Sequence, residues 1–95
     1  MNWNTGKTED LLTAIISLRS LDEAKMFFRD LLSEKEISEM ASRWQAARML
    51  DRGVPYRRIT VETGLSSRTV ARIAKWLRSG LGGYRLAIDR RKRQK

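Results

Sequence analysis

The chain is predicted to be all-α, and three observations carry that prediction. Apolar residues recur along it at helical spacing. No stretch alternates apolar and polar residues as a half-buried strand would. Two helix-opening boxes, Ser20-Leu21-Asp22-Glu23 and Ser33-Glu34-Lys35-Glu36, stand just ahead of apolar-periodic runs.

A first helix is expected over about 8–18, where Thr8-Glu9-Asp10 supplies the acidic start and Leu11, Leu12, Ile15, Ile16 and Leu18 the apolar stripe. The Ser20 box opens a second over about 21–31, followed by the apolar Ala24, Phe27, Phe28, Leu31 and Leu32. The Ser33 box opens the longest, about 34–52, carrying Ile37, Met40, Ala41, Trp44, Ala47 and Leu50 and stopped by Gly53. Pro55 can open a short fourth helix, about 55–62, because it lacks only an N–H that would be unpaired there. Ser66 then caps a fifth over about 67–78, which stops before Gly80-Leu81-Gly82-Gly83.

The 95 residues read as one domain: dimerisation helices over 1–52, a helix-turn-helix over 54–78, and a short C-terminal element with a basic tail over 79–95. That length is near the size at which a second chain adds useful stability, so a homodimer is expected. Phe27, Phe28, Leu31, Ile37, Met40 and Trp44 point the same way, offering more apolar surface than three helices of one chain readily cover. Without Cys there is neither disulfide nor thiolate metal site, and without His the commonest general base and metal ligand is missing. An enzyme is not expected, and no catalytic or metal-binding residue is assigned. No apolar run approaches the roughly 20 residues needed to span a bilayer, and MNWNTGKTED lacks the basic-then-apolar order of a signal peptide. The expectation is a soluble, cytoplasmic protein with no membrane partner.

Charge is unevenly divided. Residues 1–51 carry 7 Lys/Arg against 9 Asp/Glu, whereas residues 52–95 carry 13 against 2. A polycationic half attracts polyanions, and nucleic acid is the commonest soluble one. The terminal RRKRQK, residues 90–95, is expected to be a disordered, solvated end; most of the excess lies upstream of it.

Helices four and five are separated by three residues that include Gly64, the arrangement of a helix-turn-helix. Gly64 supplies the positive φ such a turn commonly needs, Leu65 fills the angle, and Val70 and Ile73 pack the second helix back on the first. Ser67, Arg68, Ala71, Arg72 and Lys75 then face outward, with small residues for close approach and Arg68 near the helix start to reach a guanine edge or a phosphate. The candidate DNA contacts are Ser66, Ser67, Arg68, Thr69, Ala71, Arg72 and Lys75, with Arg57 and Arg58 on the preceding helix. The competing reading is a solvated surface helix that happens to be basic. Trp44 and Trp76 fall at helical apolar positions and are expected to pack in the core rather than stack on bases.

LLSEKEISEMASRWQAARMLDRGVPYRRITVETGLSSRTVARIAKWL, roughly residues 31–77, resembles the Trp repressor superfamily, and with the following RSGLGGYRLAI its YerC/YecD subgroup. The features that carry the likeness are LLSEKE, Arg43, Arg52-Gly53 and TGLSSRTVARI. The resemblance implies an intertwined all-α homodimer, its core built from the first three helices of both chains. Its two helix-turn-helix heads reach successive major grooves, roughly 34–36 Å apart. It also implies that a corepressor would lie between Arg43 and Arg72. The alternatives for those residues are an ion pair between Arg43 and Glu39 and a phosphate contact for Arg72. This chain departs from the repressor in having Ile73 where the latter has glycine and Trp76 where it has serine. These side chains are expected to fill the indole slot, so tryptophan is not expected as a corepressor and no cofactor is named.

The sequence therefore predicts a sequence-specific double-stranded DNA-binding homodimer that represses or otherwise regulates transcription. The alternatives are the DNA-targeting module of a transposase or recombinase, and a basic RNA- or protein-interaction module. Neither the operator nor any small-molecule effector can be read from it.

Overall fold

The computed structural model describes Trp3 and residues 5–93. Gln94 and Lys95 of the basic tail, and Met1, Asn2 and Asn4 of the N-terminal stretch, lie outside the described residues. The described residues form helices α1 (Gly6–Ile16), α2 (Leu21–Leu31), α3 (Glu34–Asp51), α4 (Tyr56–Thr63), α5 (Ser67–Ser79) and α6 (Gly83–Arg93), with no strand among them. The all-α prediction holds. The chain divides into two compact units, Met1–Ile37 and Ser38–Lys95.

In the first unit the caps decide the boundaries. Helix α1 starts earlier than expected because Thr5 caps it, accepting the Thr8 N–H at 3.4 Å. It closes where the Ser17 hydroxyl donates to the Ala14 carbonyl at 2.6 Å, so Leu18 is left outside. At α2 the Ser20 hydroxyl oxygen accepts the Glu23 N–H at 3.1 Å, while the Glu23 carboxylate reaches one residue further back, to the Arg19 N–H at 2.9 Å. The Ser33 box closes reciprocally: Ser33 Oγ accepts the Glu36 N–H at 3.2 Å and Glu36 Oε1 accepts the Ser33 N–H at 2.9 Å. That backbone N–H, with the Ser33 side chain second, holds the Glu36 carboxyl below its ordinary pKa.

Neither α1 nor α2 contains a buried residue. Phe27 and Phe28 meet edge to face with ring centroids 5.6 Å apart, yet Leu11, Leu12, Ile16, Leu21, Met26 and Leu31 are all exposed. Two strongly patterned helices that bury nothing leave their apolar faces to water.

The second unit holds the core. Ala46, Ala47 and Met49 of α3, Ile59 of α4, Val70 and Ile73 of α5 and Ile88 of α6 form one buried cluster. Trp44, Leu50, Val54, Leu65, Leu77 and Tyr84 pack against it half-buried, as expected for Trp44. The C-terminal end of α3 is tied off by Gly53 at φ 79°, with the Gly53 N–H on the Leu50 carbonyl and the Val54 N–H on the Met49 carbonyl, both at 3.0 Å. Pro55 precedes α4 instead of forming its first turn, because its ψ of 144° is extended, and the helix accordingly runs one residue later at each end.

The C-terminal segment differs most from expectation. Residues 90–93 belong to α6 and are not a disordered tail. Tyr84 and Ile88, one turn apart, pack on the core, and Asp51 at the end of α3 gathers two cations from α6. Arg85 Nη2 lies 2.8 Å from Asp51 Oδ1 and Lys92 Nζ 2.8 Å from Oδ2, while Arg85 Nη1 is 3.3 Å from Asp89. The Asp51 side chain is 11% exposed, so this pairing is shielded on one side. Lys92, then Arg85, holds the Asp51 carboxyl below the ordinary carboxylate range, and Asp51 in turn raises the Arg85 pKa.

A depressed carboxyl contributes stability that is complete above the ordinary carboxylate range and is lost as pH falls through its lowered value. Asp51→Asn should lower the unfolding free energy at neutral pH by about 1–2 kcal/mol, a charged hydrogen-bond contribution reduced by solvent at the half-exposed cations. The gap between the melting curves of wild type and variant should close as pH falls below that range. A gap that stays constant into acid would show that Asp51 acts through packing and not through its charge.

Candidate nucleic-acid interface

Helices α4 and α5 are joined by Gly64-Leu65-Ser66. Gly64 has φ 76° and ψ 3°, the left-handed conformation that a residue with Cβ adopts at a cost, and its N–H reaches the Thr60 carbonyl at 2.9 Å. Thr63 steadies the turn by donating its hydroxyl to the Ile59 carbonyl at 2.7 Å and accepting the Leu65 N–H at 3.2 Å. Ser66 caps α5 by accepting the Thr69 N–H at 3.1 Å. With Ile59, Val70, Ile73 and Ala74 buried on the inner side, the two helices form a helix-turn-helix.

Burial of that apolar stripe determines what α5 shows to solvent. Ser67, Arg68, Ala71, Arg72 and Lys75 are all exposed, as are Arg57 and Arg58 on α4. Arg58 is engaged with Glu62, Nε to Oε2 at 2.8 Å, so it must exchange that surface pair before it can hold a phosphate. Ser66 is exposed and Thr69 half-buried, and the two are tied to each other: the Ser66 hydroxyl donates to Thr69 Oγ1 at 3.0 Å. Their first role is to cap the helix. The cap leaves the N-terminal end of α5 with the orphan N–H groups and positive dipole end that favour an anion.

Trp76 departs from its expected place. It is 54% exposed, because it stands about 60° round the helix from Ile73, at the edge of the buried stripe on the side of Thr69 and Arg72. The slot expected to be filled is correspondingly open. Arg43, Thr69, Arg72, Ile73, Trp76 and Tyr84 line a cavity of about 350 Å³. Ile73, only 5% exposed, belongs to the core, while Trp76 contributes a wall and not a plug. The Glu39–Arg43 pair does not form among the described residues; Arg43 faces the cavity with Arg72. Tyr84 was missed from sequence. Its spacing of four from Ile88 is the signal that could have found it, but it lies just after a glycine-rich break. No helix of the described residues is long and apolar enough to cross a membrane.

A family model described as Trp repressor protein matches residues 7–92. The uncharacterized protein YerC of Bacillus subtilis is 40% identical over 82 residues, 86% of this chain and 79% of that one. Two crystal structures share the fold. A TrpR-like protein from Eubacterium eligens superposes with a TM-score of 0.87 at 36% identity, covering 93% of this chain and 91% of its own. A Trp repressor candidate from Staphylococcus aureus gives 0.88 at 30%, covering 97% and 95%. With a matching family model over most of its length and the same helical fold, the chain belongs to the Trp repressor family, whose members are regulatory DNA-binding proteins built on a helix-turn-helix.

Proposed function

We propose that the protein regulates transcription as a homodimer, each chain inserting α5 into a major groove of double-stranded DNA at a preferred sequence. The observation that carries this reading is the outer face of α5, where Arg68, Arg72 and Lys75 flank the small Ser67 and Ala71 on a helix locked from behind by its buried stripe. Arg68 is the base-reading residue, and Lys75, Arg57 and Arg58 hold phosphates. The dimer is supported by the uncovered apolar faces of α1 and α2, which a second copy would bury. The reading places the protein in the cytoplasm with the DNA it regulates.

Selection of bound sites from a random duplex pool, followed by competition, tests it. A preferred site should be favoured over bulk duplex by about 10³ or more. Equal binding of preferred and random duplex, or of RNA, would overturn it. In sedimentation, a stable folded monomer at micromolar concentration would overturn the dimer.

Tryptophan is not part of the proposal. The cavity is open, but Ile73 and Trp76 line it where the repressor has glycine and serine, so its walls are bulkier than those of a slot shaped for a free indole. Calorimetric titration should show no L-tryptophan binding tighter than about millimolar, roughly −4 kcal/mol, and DNA affinity should be the same with and without it. A micromolar constant would reinstate the corepressor role of Arg43 and Arg72.

A further inference from the structure

A second cationic feature lies away from the outward face of α5. Arg48, Asp51 and Arg52 from the end of α3 and Ile88, Arg91 and Lys92 from α6 line a hollow of about 90 Å³. Four cationic residues and a single carboxylate line it. Like charges held together repel, so their usual structural uses need to be checked first. Asp51 does not pair with Arg48, Arg52 or Arg91, since its two oxygens are taken at 2.8 Å by Arg85 and Lys92. The last carbonyls of α3 do not need them either: the Arg52 N–H bonds to the Arg48 and Met49 carbonyls at 3.2 and 3.1 Å, the Gly53 N–H to Leu50, and the Val54 N–H to Met49. The negative dipole end of α3 suits a cation such as Arg48 in its last turn, but it does not account for Arg91 brought in from another helix. Asp51 fixes the register of α6 and places Arg91 beside Arg48 and Arg52, leaving three guanidinium groups without an ionic partner among the described residues.

We infer that the hollow between the end of α3 and α6 is a second phosphate site, at which Arg48, Arg52 and Arg91 hold a backbone phosphate of the duplex outside the segment read by α5. Guanidinium groups suit this task because they stay charged and present paired N–H donors to phosphate oxygens. The inference rests on the DNA-binding reading above. It adds that the footprint extends beyond the base-contacted segment, with an affinity contribution independent of sequence.

The test compares the full-length wild type with the R48Q/R52Q/R91Q variant on two duplexes, the preferred site alone and the same site extended by about ten base pairs at each end, roughly one helical turn. Affinity is measured against salt concentration. Wild type should bind the extended duplex roughly tenfold more tightly at low salt, the weight of about one charge-assisted hydrogen-bond contact. Its salt dependence there should be steeper by about 0.9 per additional phosphate held. The glutamine variant should bind both duplexes alike, and R48K/R52K/R91K, which keeps the charge, should recover part of the gain. A wild type with the same affinity and salt slope on both duplexes overturns the site whether or not the variant folds. So does a folded glutamine variant that keeps the full flank gain. Micromolar binding of inorganic phosphate by wild type, with no flank gain, would make this a small-anion site and overturn the duplex assignment. A wild type that prefers no duplex sequence at all would instead remove the proposed function.

Discussion

Ile59→Ala is expected to destabilise the protein by about 2–5 kcal/mol, the usual range for truncating a buried isoleucine. Ile59 is fully buried and is the one buried residue of α4, so it alone anchors the short helix in the core. An eight-residue helix is too short to persist in water on its own propensity, and packing must hold it. Removing the anchor leaves a cavity under the helix-turn-helix and frees α4 from α5. DNA affinity should fall with it, because the outer face of α5 depends on the inner face being filled. Denaturant titration checks this, and the matched control is Val61→Ala on the same helix, which is 79% exposed and should change stability by less than about 0.5 kcal/mol. Equal effects at the two positions would mean that α4 is not held by the core.

Arg68→Ala should cost roughly 1–3 kcal/mol at the preferred site and alter the favoured base at one position. Arg68 is exposed in the first turn of α5, with Ser67 before it and Ala71 one turn on, neither large enough to hold the helix away from a groove floor. The effect separates base reading from backbone contact: an equal loss on random duplex would demote Arg68 to a phosphate contact. Lys75→Ala provides the contrast, with a loss across all sequences and a salt slope reduced by about one unit.

Much of the candidate site could be read from sequence because its causes are local. The Ser66 cap and the Gly64 turn depend on hydrogen bonds and dihedral preferences within three or four residues, and the inner stripe of α5 is a matter of helical spacing. Arg68, Ala71, Arg72 and Lys75 are exposed because Val70, Ile73 and Ala74 are buried. The cavity between Arg43 and Arg72 was located by resemblance but misjudged in content. Helical spacing put Trp76 near the apolar stripe, and only the packing of neighbouring helices determined how wide that stripe was.

The caps of α2, α3 and α5, the turn between α4 and α5, and the division of charge along the chain were determined by the sequence alone, since each rests on residues adjacent in it. The start of α1 lies ahead of the expected residue 8 because Thr5, three residues earlier, caps it. Helix α6 was decided by tertiary structure. Its start follows Gly80-Leu81-Gly82 without a capping signature, and its end is a run of like charges that, taken alone, reads as solvated chain. It is held by Ile88 in the core and by Asp51, which lies 34 residues from Arg85 in sequence. No window along the chain contains both partners of such a pair, so only the folded structure could turn that basic run into a helix with a fixed face.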